Sequence, residues 1–102
     1  MESCYLALEE GPIRKTLYPL TEQVTIGRSA DNTISLEDPL VSRHHARVSC
    51  QEGIWSVEDL GSANGVVFNG NRVDKMILYC DYTFQIGETT FRFIKKDIKE
   101  KL

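Results

Sequence analysis

Apolar and polar side chains alternate along most of this chain in runs too short for helices, and residues that favour turns separate the runs. A period of two puts successive side chains on opposite faces of a strand, so one face is buried while the other meets water. Tyr5 and Ala7, with Leu6 and Leu8 less regular around them, predict a first strand ending at the acidic turn Glu9-Glu10-Gly11-Pro12. Thr16-Leu17-Tyr18-Pro19-Leu20 predicts a second, and Pro19, which cannot donate to a ladder, assigns it to a sheet edge. Val24-Thr25-Ile26 and Ile34-Ser35-Leu36 are two more short strands. The stretches Ala46 to Gln51 and Ile54 to Asp59 alternate on either side of Glu52-Gly53 and form the clearest hairpin. Val66-Val67-Phe68 leads into Asn69-Gly70, a strong signal for a two-residue hairpin turn, with Val73 beyond it. Met76-Ile77-Leu78 fits either a strand or part of a longer connection. Tyr82 to Ile86 and Thr89 to Ile94 enclose Gly87-Glu88 as a last hairpin with aromatic residues at alternating positions. Trp55, Phe84, Phe91 and Phe93 read as core packing. Nothing before Lys95 sustains a helical period, so the pattern describes an all-β sandwich.

The alternation stops at Lys95. Six of the eight residues from Lys95 to Leu102 are charged, with Ile98 and Leu102 four apart. That fits a polar tail, or the first turns of a helix in a linker to a further domain. The expected organisation is one domain over residues 1–94 and a tail or linker start over 95–102. At 41 % apolar and 26 % charged, the composition is that of an ordinary soluble globular chain. A net charge of −3 argues against a general nucleic-acid binder, which carries a strongly basic face. No apolar run approaches the roughly 20 residues of a membrane-spanning helix. The start, Met1-Glu2-Ser3-Cys4, lacks the basic-then-apolar order of a secretory signal. Cys4, Cys50 and Cys80 are odd in number and share no short spacing, which suits reduced, packing cysteines in the cytoplasm better than a disulfide frame or a zinc site.

Candidate chemistry concentrates in Val41-Ser42-Arg43-His44-His45-Ala46-Arg47-Val48. Pro39 disfavours helical dihedrals at Asp38, so a turn leads into this segment, and its polar cluster sits at a loop–strand junction. A hydroxyl beside a guanidinium suits a phosphate, to which arginine offers a planar fork of donors and serine a compact one. Gly27-Arg28 adds a second guanidinium after a strand, with a glycine that permits close backbone approach. Taken singly, each arginine reads as solvated surface charge and Ser42 as a turn cap; together with Gly27 they favour phosphate. A hydrolase built from Ser42, His45 and Asp59 would need a glycine-flanked nucleophile elbow or an equivalent oxyanion arrangement, and Ser42 has no such flanks. His44 and His45 do not form a metal site, because neighbours on a strand point to opposite faces and no Cys or acidic partner stands at ligand spacing.

Gly27-Arg28, then Ser42-Arg43-His44-His45, then Asp59-Leu60-Gly61-Ser62-Ala63-Asn64-Gly65 with Asn69-Gly70 follow one another in the order and at the spacings of a known family. From about Tyr5 to Ile94 the chain resembles the forkhead-associated (FHA) family. The resemblance implies a β-sandwich of about eleven strands, ligand loops at one end, phosphothreonine-peptide binding and no catalytic activity. By the same resemblance Arg28, Ser42 and Arg43 match phosphate-binding positions and Asn64 the asparagine that bonds the peptide main chain. His45 matches the histidine that braces the loops, and Gly27, Ser62 and Gly65 belong to the supporting loops. Three positions depart from the family: Ala63 where many members carry Ser or Thr, Val66 for a frequent Thr, and Cys80 for a frequent Gly.

The expectation is a non-enzymatic signalling module, the regulatory domain of a larger cytoplasmic protein, reading a phosphothreonine-containing protein or peptide. No cofactor, metal, nucleic acid or membrane insertion is implied. The alternative is a phosphate-independent interaction or self-association scaffold of the same fold.

Overall fold

A computed structural model describes residues 2–9 and 15–97. Among them are eleven strands and no helix. In chain order they are β1 Glu2–Glu9, β2 Lys15–Leu20, β3 Val24–Gly27, β4 Ile34–Ser35, β5 Ala46–Gln51 and β6 Ile54–Asp59. They continue with β7 Val66–Phe68, β8 Asn71–Val73, β9 Lys75–Ile77, β10 Thr83–Ile86 and β11 Thr89–Asp97. One sheet has the order β2-β1-β11-β10-β7-β8 and the other β4-β3-β5-β6-β9. The fold is therefore the all-β sandwich that the alternation describes.

The turns follow from residue type. Glu52-Gly53 and Asn69-Gly70 join β5 to β6 and β7 to β8 with φ of 54° and 80°, then 49° and 80°. Two successive positive φ angles match the right-handed twist of the flanking strands, which is why Asn-Gly so often marks such a turn. Between the sheets, Leu6, Ile26, Val48, Val57, Ile86 and Phe93 are fully buried, and Phe84 stacks on Phe91 with ring centroids 5.5 Å apart. Trp55 is buried in the same core. Ala7, opposite Leu17 and Arg92 in the ladders, is as buried as Leu6 although it does not belong to the core cluster, which blurs the alternation there. Pro19 lies on β2, an edge of its sheet, opposite Tyr5.

Three expectations are decided or adjusted. Met76 and Ile77 belong to β9, which pairs with β6, so this stretch is a strand at a sheet edge. The last strand runs three residues past Ile94: Lys95, Lys96 and Asp97 pair with Cys4, Ser3 and Glu2. Their side chains show no apolar period, but the N–H and C=O groups of β1 need ladder partners whatever side chains the partner strand carries. Only Cys4 packs against the core, while Cys50 and Cys80 are exposed. The turn at Glu10-Gly11-Pro12 and the segment from Ile98 to Leu102 lie outside the described residues. No helix among the described residues is long and apolar enough to cross a membrane.

Candidate functional site

Three loops meet at one end of the sandwich, after β3, after β4 and after β6. The first is docked by main chain. Arg28 N–H donates to Ser42 O at 3.0 Å and Ser29 N–H to Arg43 O at 3.1 Å. The approach is so close that a Cβ on Gly27 would stand 2.2 Å from Arg43 O, inside any permitted contact. Glycine is the one residue that lets the two segments pass. Asn32 secures the same crossing: its Nδ2 donates to Ser29 O and Arg43 O, both at 2.7 Å, while its buried Oδ1 has no partner among the described residues. Sequence reasoning missed Asn32, since the whole stretch from Ser29 to Thr33 reads as solvated loop and no period separates its buried member.

The second loop begins as the turn that Pro39 predicts. Asp38 O accepts Val41 N–H at 2.9 Å and Asp38 Oδ1 accepts Leu40 N–H at 2.9 Å. Its Oδ2 accepts Glu88 N–H at 2.8 Å, which ties the loop to the β10–β11 turn. These main-chain donors, Leu40 first and then Glu88, hold the Asp38 carboxyl below the ordinary carboxylate range. Val41 then enters the core, Ser42 is half-buried, Arg43 and His44 are exposed, and His45 is fully buried. Arg28 Nε donates to Val41 O at 3.0 Å, which leaves its terminal nitrogens facing outward from an exposed side chain. The exposed Arg43 guanidinium has no hydrogen-bond or ion-pair partner among the described residues. Nearby, His44 Nε2 lies 3.1 Å from Asp31 at the exposed rim. Ser29 first and His44 second lower the Asp31 pKa.

His45 joins the loops. Its Nδ1 accepts Ser42 N–H at 3.0 Å and its Nε2 lies 2.8 Å from Gly65 O. A nitrogen facing N–H must accept and one facing C=O must donate, so these partners assign the proton to Nε2. With both ring nitrogens engaged by main chain, neither can take a proton from Ser42 Oγ. Asp59, in turn, bonds Gly61 and Ser62 rather than His45. The geometry of a nucleophilic triad is therefore missing. No group of three or more His, Cys, Asp or Glu among the described residues could hold a metal ion.

The third loop is built on Asp59, whose Oδ2 accepts the N–H groups of Gly61 and Ser62 at 3.0 and 3.1 Å. The buried Ser62 hydroxyl donates to Asp59 Oδ1 and accepts Gly65 N–H at 2.8 Å. Two contacts then reach the second loop: Ala63 N–H donates to Ser42 Oγ at 3.0 Å, and Asn64 Nδ2 donates to Leu40 O at 2.8 Å. From β8, Arg72 donates to Ser62 O through Nη2 at 3.0 Å and to Ala63 O through Nη1 at 3.3 Å. Its side chain occupies the space over Gly65, where a Cβ would stand 2.3 Å from Arg72 Nε. Nothing in the sequence pattern singles out Arg72.

Arg28, Ser42, Arg43 and Asn64 thus lie on loops bonded directly to one another, and Gly27, His45, Ser62 and Gly65 form the bonds or crossings that join them. The arrangement presents two guanidiniums and a hydroxyl on one surface of loops that hydrogen-bond to one another.

Comparison with known proteins bears on this arrangement. The chain is 43 % identical over 70 residues to the FHA domain-containing protein FhaB of Mycobacterium tuberculosis, covering 68 % of this chain and 45 % of FhaB. The chain spans about half the length of the curated relatives it matches. Among solved structures, Mycobacterium tuberculosis EmbR, in complex with a low-affinity phosphopeptide, superposes with a TM-score of 0.82 at 31 % identity, over 90 % of this chain and 24 % of EmbR. The FHA domain of CT664 from Chlamydia trachomatis superposes with a TM-score of 0.83 at 25 % identity, over 90 % of this chain and 96 % of that domain. Residues 24–87, more than half of the sequence, match the FHA domain family, and the chain belongs to that family.

Proposed function

We propose that this domain is a binding module for phosphothreonine-containing segments of partner proteins, with Arg28, Ser42 and Arg43 holding the phosphate and Asn64 the peptide main chain. The observation that carries the reading is the loop surface itself: loops hydrogen-bonded to one another present guanidiniums and a hydroxyl whose outward donors have no partner among the described residues. A phosphate carries close to two negative charges and three acceptor oxygens, a match for two guanidinium forks and a hydroxyl. Each charge-assisted bond nets about 1.5–3 kcal/mol. Three or four of them, less the ordering of the peptide, correspond to a dissociation constant on the order of micromolar. That range suits reversible signalling, and the greater length of the relatives supports a regulatory domain within a longer protein.

Fluorescence anisotropy with heptapeptides that carry alanine around a central residue tests the reading. Phosphothreonine should bind, phosphoserine should bind roughly fourfold more weakly for want of one buried methyl, and glutamate should not bind measurably. Arg28→Ala should weaken binding by about 2–3 kcal/mol, roughly 30- to 150-fold, with only a small fall in melting temperature from the lost Nε bond to Val41 O. Equal binding of phosphorylated and unphosphorylated peptides would instead identify a phosphate-independent scaffold.

A further inference from the structure

Arg72 lies on the far side of the third loop from Ser42, and a single peptide unit separates them. The carbonyl of the Ser62–Ala63 peptide accepts from the Arg72 guanidinium at 3.0 Å, and the N–H of the same peptide donates to Ser42 Oγ at 3.0 Å. A cation on a carbonyl oxygen withdraws electron density from the amide and makes its N–H a stronger donor. Ser42 Oγ receives that N–H, so its own proton is polarised and left to donate elsewhere. The Nη1 bond to Ala63 O and the packing over Gly65 fix the guanidinium in this position.

We infer that Arg72 is a positioning residue for the phosphate, acting through the Ser62–Ala63 peptide on the Ser42 hydroxyl without touching the ligand. The inference rests on the phosphate reading above and adds a third arginine to it. Its effect passes through one hydroxyl, so it is read by coupling to that hydroxyl.

The test has two arms. In the free protein, the Ala63 amide proton should move upfield in Arg72→Gln, with a smaller movement in Arg72→Lys, which keeps the charge but loses the planar fork. With the alanine-flanked phosphothreonine heptapeptide, followed by NMR titration to millimolar concentration, Arg72→Gln should weaken binding roughly fivefold. In a Ser42→Ala background the same change should cost less than about twofold, because the relay has lost its end. Equal losses in both backgrounds, or an unmoved Ala63 amide, overturn the inference and leave Arg72 a loop clamp. A wild-type chain that ignores the phosphate overturns the phosphate reading, and the Ala63 amide shift still decides, without peptide, whether Arg72 polarises Ser42. If Arg72→Gln does not fold, Arg72→Lys carries both arms.

Discussion

His45 does its work without exposing an atom, since its two ring nitrogens are committed to Ser42 N–H and Gly65 O. His45→Ala abandons one buried donor and one buried acceptor, each at about 1–3 kcal/mol. The expected outcome is a fall of about 3 kcal/mol in unfolding free energy together with weaker phosphopeptide binding, measured by urea denaturation and by anisotropy on one preparation. Lost affinity with an unmoved urea midpoint would mean that His45 meets the ligand directly. Ala63 makes the complementary case. Its N–H already serves Ser42, and its methyl is exposed. Ala63→Thr adds a hydroxyl at the loop surface, and a gain of about 1 kcal/mol, roughly fivefold, is expected in the same titration. Weaker binding would mean that the loop has no room for a β-branched residue.

At the scale of elements, the loops are as much a product of packing as the strands are. Gly27 ends β3 where the second loop crosses it, and the atom a Cβ would strike is a main-chain oxygen that no side-chain rotation can move. Gly27→Ala should therefore push the two loops apart, costing about 1–3 kcal/mol of stability and with it most of the binding. Circular dichroism melts and peptide titration read both effects. A variant that keeps wild-type affinity would show that the crossing is not part of the site. The same region marks how far the sequence could be read. β5, β6, β7, β10 and their turns were legible because one face is buried and the turn residues need positive φ. Arg28, Ser42, Arg43, His45 and Asn64 were singled out through a family pattern, and the structure brings their loops together. Asn32, Asp38 and Arg72 were not, since their roles lie in bonds to main-chain atoms far along the chain, and such bonds leave no period. The end of β11 was misjudged for the same reason, its ladder being indifferent to side chains.

For the molecule as a whole, acid is the informative perturbation. Asp38 links the second loop to the β10–β11 turn, and its folded pKa lies below the ordinary value of 3.8. A depressed carboxylate contributes stability in full above its unfolded pKa and loses it as pH falls through the folded one. Stability should therefore begin to decline below about pH 4, and Asp38→Asn should flatten that part of the curve. Asp31 and Glu58 shift in the same direction, Glu58 chiefly through Arg47 and Asp31 through Ser29 and then His44, and the ionic part of each, from Arg47 and His44, weakens with salt. Main-chain donors to Asp38 are not screened in this way. Urea titrations at low and high salt separate the two, and an acid decline that high salt erases would assign it to Asp31 and Glu58 instead.

The ladder between β1 and β11 pairs Glu2 with Asp97 at one end and Glu9 with Thr90 at the other, beside the turn that Asp38 holds. Traction applied to Glu2 and Asp97 would load the hydrogen bonds of this ladder one after another, as in a zipper, rather than all together in shear. The domain should yield at low force, with peeling that starts about eight residues of strand away from the ligand loops. In an optical trap the opening force should stay the same when phosphopeptide is bound. As part of a longer chain under tension, such a module would let go at its seam before its grip on the partner is disturbed.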